Sequence, residues 1–138
     1  MAYVSQDMKK RYAPEIKRIL KKYNLKGSIS VNNHSTLVLT VAQGPLDFIE
    51  NGEKIARETA ARRGQTYYPN TRYCADVNVY WIADHYDGVV RACLLELNEA
   101  LKGPDYFNES DAQIDYFHRS HYWDIKIGRW NKPYVLIK

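Results

Sequence analysis

Ile29-Ser-Val31 and Leu37-Val-Leu-Thr-Val41 flank the turn-forming run Asn32-Asn-His-Ser35, and this stretch decides the fold class. Its first arm alternates apolar and polar side chains, the period-2 pattern of a strand. Its second arm is apolar and β-branched, which favours an extended chain. The residues between them are good turn formers, so 28–41 is predicted to be a β-hairpin.

Upstream of the hairpin the period changes. Met8, Tyr12, Ile16, Ile19, Leu20 and Tyr23 recur at helical spacing and cover one face of a helix running from about Ser5 to Tyr23. Lys10, Arg11, Lys17, Arg18, Lys21 and Lys22 fall on the opposite side. Ser5 suits the N-cap, and Asp7 suits the positive first turn. Pro14 removes a backbone donor, so a kinked single helix is expected; the alternative is a break with a second helix starting at Pro14. Lys26-Gly27 has the composition of a helix stop.

Downstream, Gly44-Pro45 punctuates the second strand, and Asp47 can cap a helix through Phe48, Ile49, Ile55 and Ala60 to Arg63, with Gly64 as its stop. Gly52 interrupts that pattern. Residues 66–73 are aromatic and turn-rich and are expected to be a loop. Val77–Ile82 is open between a strand by propensity and a short helix by packing. A helix from Val89 to Leu101 presents Val90, Cys93, Leu94, Leu97 and Leu101 on one face and ends at Lys102-Gly103-Pro104. Tyr122–Ile127 alternates as a strand up to Gly128, and Tyr134–Ile137 can pair at an edge. The expectation is one α+β domain over residues 1–138. Its small antiparallel sheet, made of the N-terminal hairpin plus the C-terminal strand, is packed with about three helices.

Composition bounds the class. The chain has 138 residues, 45% of them hydrophobic and 13% aromatic, too rich in core-forming side chains for a disordered protein. No run of about 18 apolar residues predicts a membrane-spanning helix. The start, Met1 to Asp7, lacks a basic-then-apolar signal pattern, so a cytoplasmic location is expected (the host cell cytoplasm for a phage-encoded protein). Cys74 and Cys93 are expected to be buried free thiols rather than a disulfide framework. The sequons at Asn33 and Asn108 read as accidents of composition.

Catalytic chemistry has few carriers. His118-Arg-Ser-His121, near Asp111, Asp115 and Asp124, holds residue types that can ligate zinc. No Glu base lies between the two histidines, and in a turn their rings need not converge, so loop histidines are the simpler expectation. His85, between Asp84 and Asp87, has a weaker claim. Cys74 has no local signature of a nucleophile. The seven glycines are scattered singly, with no phosphate-cradling pattern. A non-enzyme without metal or cofactor is expected.

Charge is the more physical signal. The net charge is +4, yet residues 1–27 hold eight basic groups against two acids and the remainder is slightly acidic. A concentrated basic face attracts nucleic acid, an anionic surface or an acidic protein, or is simply a solvated helix face. A second candidate surface joins Arg62, Arg63 and Arg72 to Tyr67, Tyr68 and Tyr73, types that stack on single strands and also anchor protein interfaces. No zinc finger, RNP signature or helix-turn-helix pattern accompanies either surface.

Two stretches, residues 34–48 and 110–134, together with the basic helix and the Lys26–Val31 strand that follows it, resemble small accessory proteins encoded by bacteriophages and plasmids. The resemblance covers about half the chain and brings no catalytic motif with it. It implies a mobile-element setting, in which such proteins act stoichiometrically on host machinery, including CRISPR and restriction defence. The expected function is therefore non-enzymatic binding and modulation of a host protein or nucleoprotein complex. The alternative is a sequence-tolerant nucleic-acid binder using the same basic helix. No membrane partner is expected.

Overall fold

A computed structural model of the protein describes residues 3–68, 74–104, 106, 121–129 and 131–137. In chain order these form α1 (Gln6–Lys22), β1 (Lys26–Asn32), β2 (Thr36–Gly44), α2 (Phe48–Arg62), β3 (Ala75–Val77), α3 (Ile82–His85), α4 (Gly88–Lys102), β4 (Tyr122–Ile127) and β5 (Val135–Leu136). The class is α+β, with four helices and a five-stranded sheet among the described residues.

The sheet is mixed, not antiparallel as the sequence suggested. Its order is β1-β2-β4-β3, with β5 joining the far end of β2. The β1–β2 hairpin and the β3–β4 pair are antiparallel, whereas β4 and β5 both run parallel to β2. Parallel neighbours need a long crossover, and the stretch between β2 and β4 supplies one that includes α4. A local hairpin signal carries no information about such a distant pairing. Val77–Ile82 is neither a strand nor a helix as a whole: Val77 ends β3, residues 78–81 turn, and Ile82 starts α3.

Helix ends follow the expected caps with one exception. Ser5 Oγ accepts from Met8 N at 3.0 Å, and Asp47 Oδ1 accepts from Glu50 N at 3.0 Å. Pro14 sits inside an unbroken α1 on its exposed side. The exception is the end of α1. Asn24, at φ +57°, takes the left-handed position; Leu25 N reaches Leu20 O at 2.8 Å and Asn24 N reaches Lys21 O at 3.1 Å. That is a Schellman closure with Leu25 and Leu20 both buried beside it, so Gly27 is free to enter β1.

The core lies between one sheet face and the helices. Leu37, Leu39 and Val41 of β2 and Ile125 and Ile127 of β4 are fully buried against Ile16 and Ile19 of α1 and Leu94, Leu97 and Leu101 of α4. Period 2 in the strands places Ser28, Ser30, Thr40, Asp124 and Lys126 on the other face. Among the described residues no helix is long and apolar enough to cross a membrane.

Candidate docking surface

α1 lies over β1 at one side of the sheet and meets α4 on its inner flank. There Lys22 Nζ pairs with Glu96 Oε1 at 2.8 Å, and the Tyr23 hydroxyl donates to Glu96 Oε2. Lys22 and Tyr23, in that order, hold the Glu96 carboxyl below its usual range, and Glu96 in turn raises the Lys22 ammonium. Arg18 forms a two-pronged pair with Glu15, at 2.6 and 3.0 Å, and Arg11 lies 5.7 Å from the Tyr12 ring centroid. Three of the six predicted cations thus face groups of their own fold.

The other three form a line. At about 100° per residue, Lys10, Lys17 and Lys21 lie about 100–140° round the helix from Lys22. All three are exposed, and their side chains make no hydrogen bond or ion pair with a described residue. Along the axis they are separated by about 10 and 6 Å. Pro14 occupies the same stripe between Lys10 and Lys17, an uncharged position where its missing N–H faces water. The basic face predicted from sequence is therefore two surfaces, a partly neutralised flank toward α4 and an open lysine edge.

Of the second predicted patch, Arg62, Arg63, Tyr67 and Tyr68 are described. Tyr67 turns inward, donating its hydroxyl to the Glu53 carboxylate with the Arg57 guanidinium 5.9 Å from its ring centroid. Tyr68 is 80% exposed. Arg62 and Arg63 are exposed at the end of α2, while Arg72 and Tyr73 lie outside the described residues. Arg62 and Arg63 instead border a cleft of about 850 Å³ between α2 and α3, floored by Ile49, Ile55 and Tyr86 and walled by Trp81. Tying the two sides together, Asn51 exchanges hydrogen bonds with Asp87, from Nδ2 to Oδ1 at 2.6 Å and from the Asp87 N to Oδ1 at 3.0 Å. Lys54 adds a 2.8 Å bond to Asp87. Tyr80 and Trp81, at 72% and 54% exposure, are surface aromatics that the sequence reading overlooked. Their signal was weak, because Val77–Ile82 reads equally well as a core segment.

His121 is a core residue. It is fully buried, its Nε2 lies 2.9 Å from Leu101 O, and its ring packs against Tyr12, Tyr106 and Trp123. The carbonyl it meets belongs to the last turn of α4, so the Nε2 contact closes a helix end. His118, Asp111 and Asp115 lie outside the described residues. Both cysteines are free; Cys93 is buried, which pushes its thiol up to about 12, and Cys74 is half-buried.

Burial lowers the His121 pKa below its ordinary 6.5, outweighing the Leu101 hydrogen bond that raises it. The unfolded chain then binds a proton that the folded one resists, so stability falls as pH drops below about 6.5. The slope is bounded by one proton, about 1.4 kcal/mol per pH unit. Carboxylates with lowered pKa, Glu15, Asp87 and Glu96, act only in the more acidic range below their ordinary values. Urea titrations between pH 7 and 5 should show a decline in the native protein that is absent from His121→Phe; equal slopes would overturn the assignment.

No family model, curated protein or solved structure matches the chain.

Proposed function

We propose that the protein is a non-enzymatic accessory factor that binds and modulates a host protein or nucleoprotein complex through the lysine edge of α1. The observation that carries this reading is the line Lys10, Lys17 and Lys21, exposed and without partners among the described residues, beside a flank whose cations are already paired. A fold that neutralises one side of a helix and leaves the other positive keeps a directional field for steering and docking an anionic surface. The phage or plasmid setting and an anti-defence role in the host cytoplasm are the concrete version of this reading, and both rest on the sequence resemblance. Arg62, Arg63 and Tyr68 are separate from the lysine edge in this reading and supply a secondary contact at most.

The test is capture from host lysate with and without nuclease, using the native protein and the variant K10E/K17E/K21E. Charge reversal at these exposed positions should leave the far-UV spectrum unchanged and weaken capture at least tenfold. Undiminished capture by the variant sinks the proposal. A complex that vanishes with nuclease, and whose log K falls by about 2.7 per log unit of salt, as three phosphate contacts require, moves nucleic-acid binding to first place.

A further inference from the structure

We infer that the partner docks as an extended, acidic segment that adds a strand to the free edge of β1, alongside the lysine line of α1. The inference deepens the proposed function and rests on it.

Among the described residues β1 is the terminal strand on its side of the sheet. Which of its backbone groups are unused follows from the β2–β4 ladder. Tyr122 N donates to Ser35 O at 2.9 Å and Gly128 N to Val41 O at 2.8 Å, so the odd-numbered residues of β2 direct their N–H and C=O groups at β4. The even-numbered ones, Thr36, Val38 and Thr40, then face β1, where they lie opposite Asn32, Ser30 and Ser28. Ile29 and Val31, between those positions, point their N–H and C=O groups away from the sheet. Neither makes a hydrogen bond to a described residue outside the hairpin.

Edge strands are normally blunted by proline, by inward charges, by bulges or by being very short. β1 is seven residues long, carries no proline, and has no charge from Gly27 to Asn32. Its one irregularity lies between Lys26 and Gly27, at the start of the strand. The side chains of Ile29 and Val31 pack partly into the core, which holds the strand in place while its outer backbone stays open.

The charge of the incoming segment follows from α1, which packs on β1 and carries Lys10, Lys17 and Lys21 exposed. Alternate side chains of an added strand share one face, and the positive field of the helix favours carboxylates there. Backbone pairing then supplies affinity and the carboxylates supply selectivity, the usual division in strand addition. A second copy of this chain is the wrong occupant, because pairing β1 with itself brings two segments of net charge +6 together.

The experiment selects a displayed library of random nine-residue peptides against the full chain at low ionic strength. Enriched peptides should carry Asp or Glu at alternate positions among β-branched residues. On binding a synthetic copy of one, the Ile29 and Val31 amides should exchange at least tenfold more slowly. Ile29→Pro, which removes an outward N–H, should lose at least tenfold in affinity, whereas Ile29→Ala, which removes the same partly buried side chain but keeps the N–H, should retain binding. Failure to enrich an acidic alternating pattern, or unaltered exchange at Ile29 and Val31, overturns strand addition, and so does a solution dimer that Ile29→Pro abolishes. Binding lost in K10E/K17E/K21E but kept in Ile29→Pro defeats the strand while leaving the lysine edge standing; binding kept in both defeats the lysine edge as well.

Discussion

Leu39→Ala is expected to lower the unfolding free energy by about 3–4 kcal/mol, a large share of the roughly 5–15 kcal/mol available to a domain. Leu39 sits in the middle of β2, fully buried, opposite Ile29 of β1 on one side and Ile125 of β4 on the other. Three elements close over it, so a cavity there has no flexible neighbour to collapse into, which is what places a truncation toward the upper part of the usual range. For a chain of this length the midpoint of thermal unfolding should drop by about 10 °C or more. Leu39→Ile, which conserves volume, should cost less than about 1.5 kcal/mol, and Ser30→Ala on the outer face should stay within about 0.5 kcal/mol. Urea unfolding of the three variants checks the order. A loss at Leu39 no greater than at Ser30 would falsify the strand register, since a one-residue slip exchanges the two faces.

Gly128→Ala should destabilise by about 3 kcal/mol through a different mechanism. Gly128 follows β4 at φ +69°, in the left-handed region where a Cβ costs about 1–2 kcal/mol. The added Cβ would also lie 2.4 Å from Tyr134 N and 3.1 Å from the Pro133 carbonyl carbon, both backbone atoms, so the chain itself must move. Such overpacking costs typically 1–3 kcal/mol. What moves is the segment that carries β5. Tyr134 donates its hydroxyl to Leu46 O at 2.7 Å and stacks edge-on against Phe48, and Ile137 N bonds Gly44 O at 2.9 Å. The Ile137 amide should therefore lose exchange protection along with the global change. Gly64→Ala is the control. Gly64 has a similar φ of +66° with nothing within 4 Å of its Cβ, so only the backbone cost of about 1 kcal/mol applies. Equal losses at the two glycines would mean that β5 is not held where Gly128 places it.

Both variants probe contacts between residues far apart in the chain, and there the sequence was least informative. Helix α1, the β1–β2 hairpin, α2 and α4 were legible because each is specified by a period and by caps that act within a few residues. Ser5, Asp47 and Gly64 do in the structure what their chemistry suggests in isolation. Asn24 was overlooked in favour of Gly27 because the left-handed cap needs only tolerance of positive φ, which Asn has as well.

The candidate surfaces divide the same way. That one side of α1 is basic follows from composition and a helical wheel. Which cations remain available does not, because the Lys22–Glu96 pair joins residues 74 apart in sequence and depends on α4 lying beside α1. Tyr67 looked like an exposed anchor until Glu53, on the preceding helix, turned it inward. His121 was expected to be a polar loop histidine and is buried, with its ring brought to Leu101 at the end of α4.

By itself, then, the sequence determined the local elements, the α+β class and the location of the excess positive charge, since periodicity, capping and formal charge are properties of neighbouring residues. Only the tertiary structure decided that β4 runs parallel to β2, that β1 ends the sheet among the described residues, and that three of the six cations have no side-chain partner there. Those outcomes depend on which distant segments meet, and a pairing across some eighty residues leaves no periodic trace in either partner.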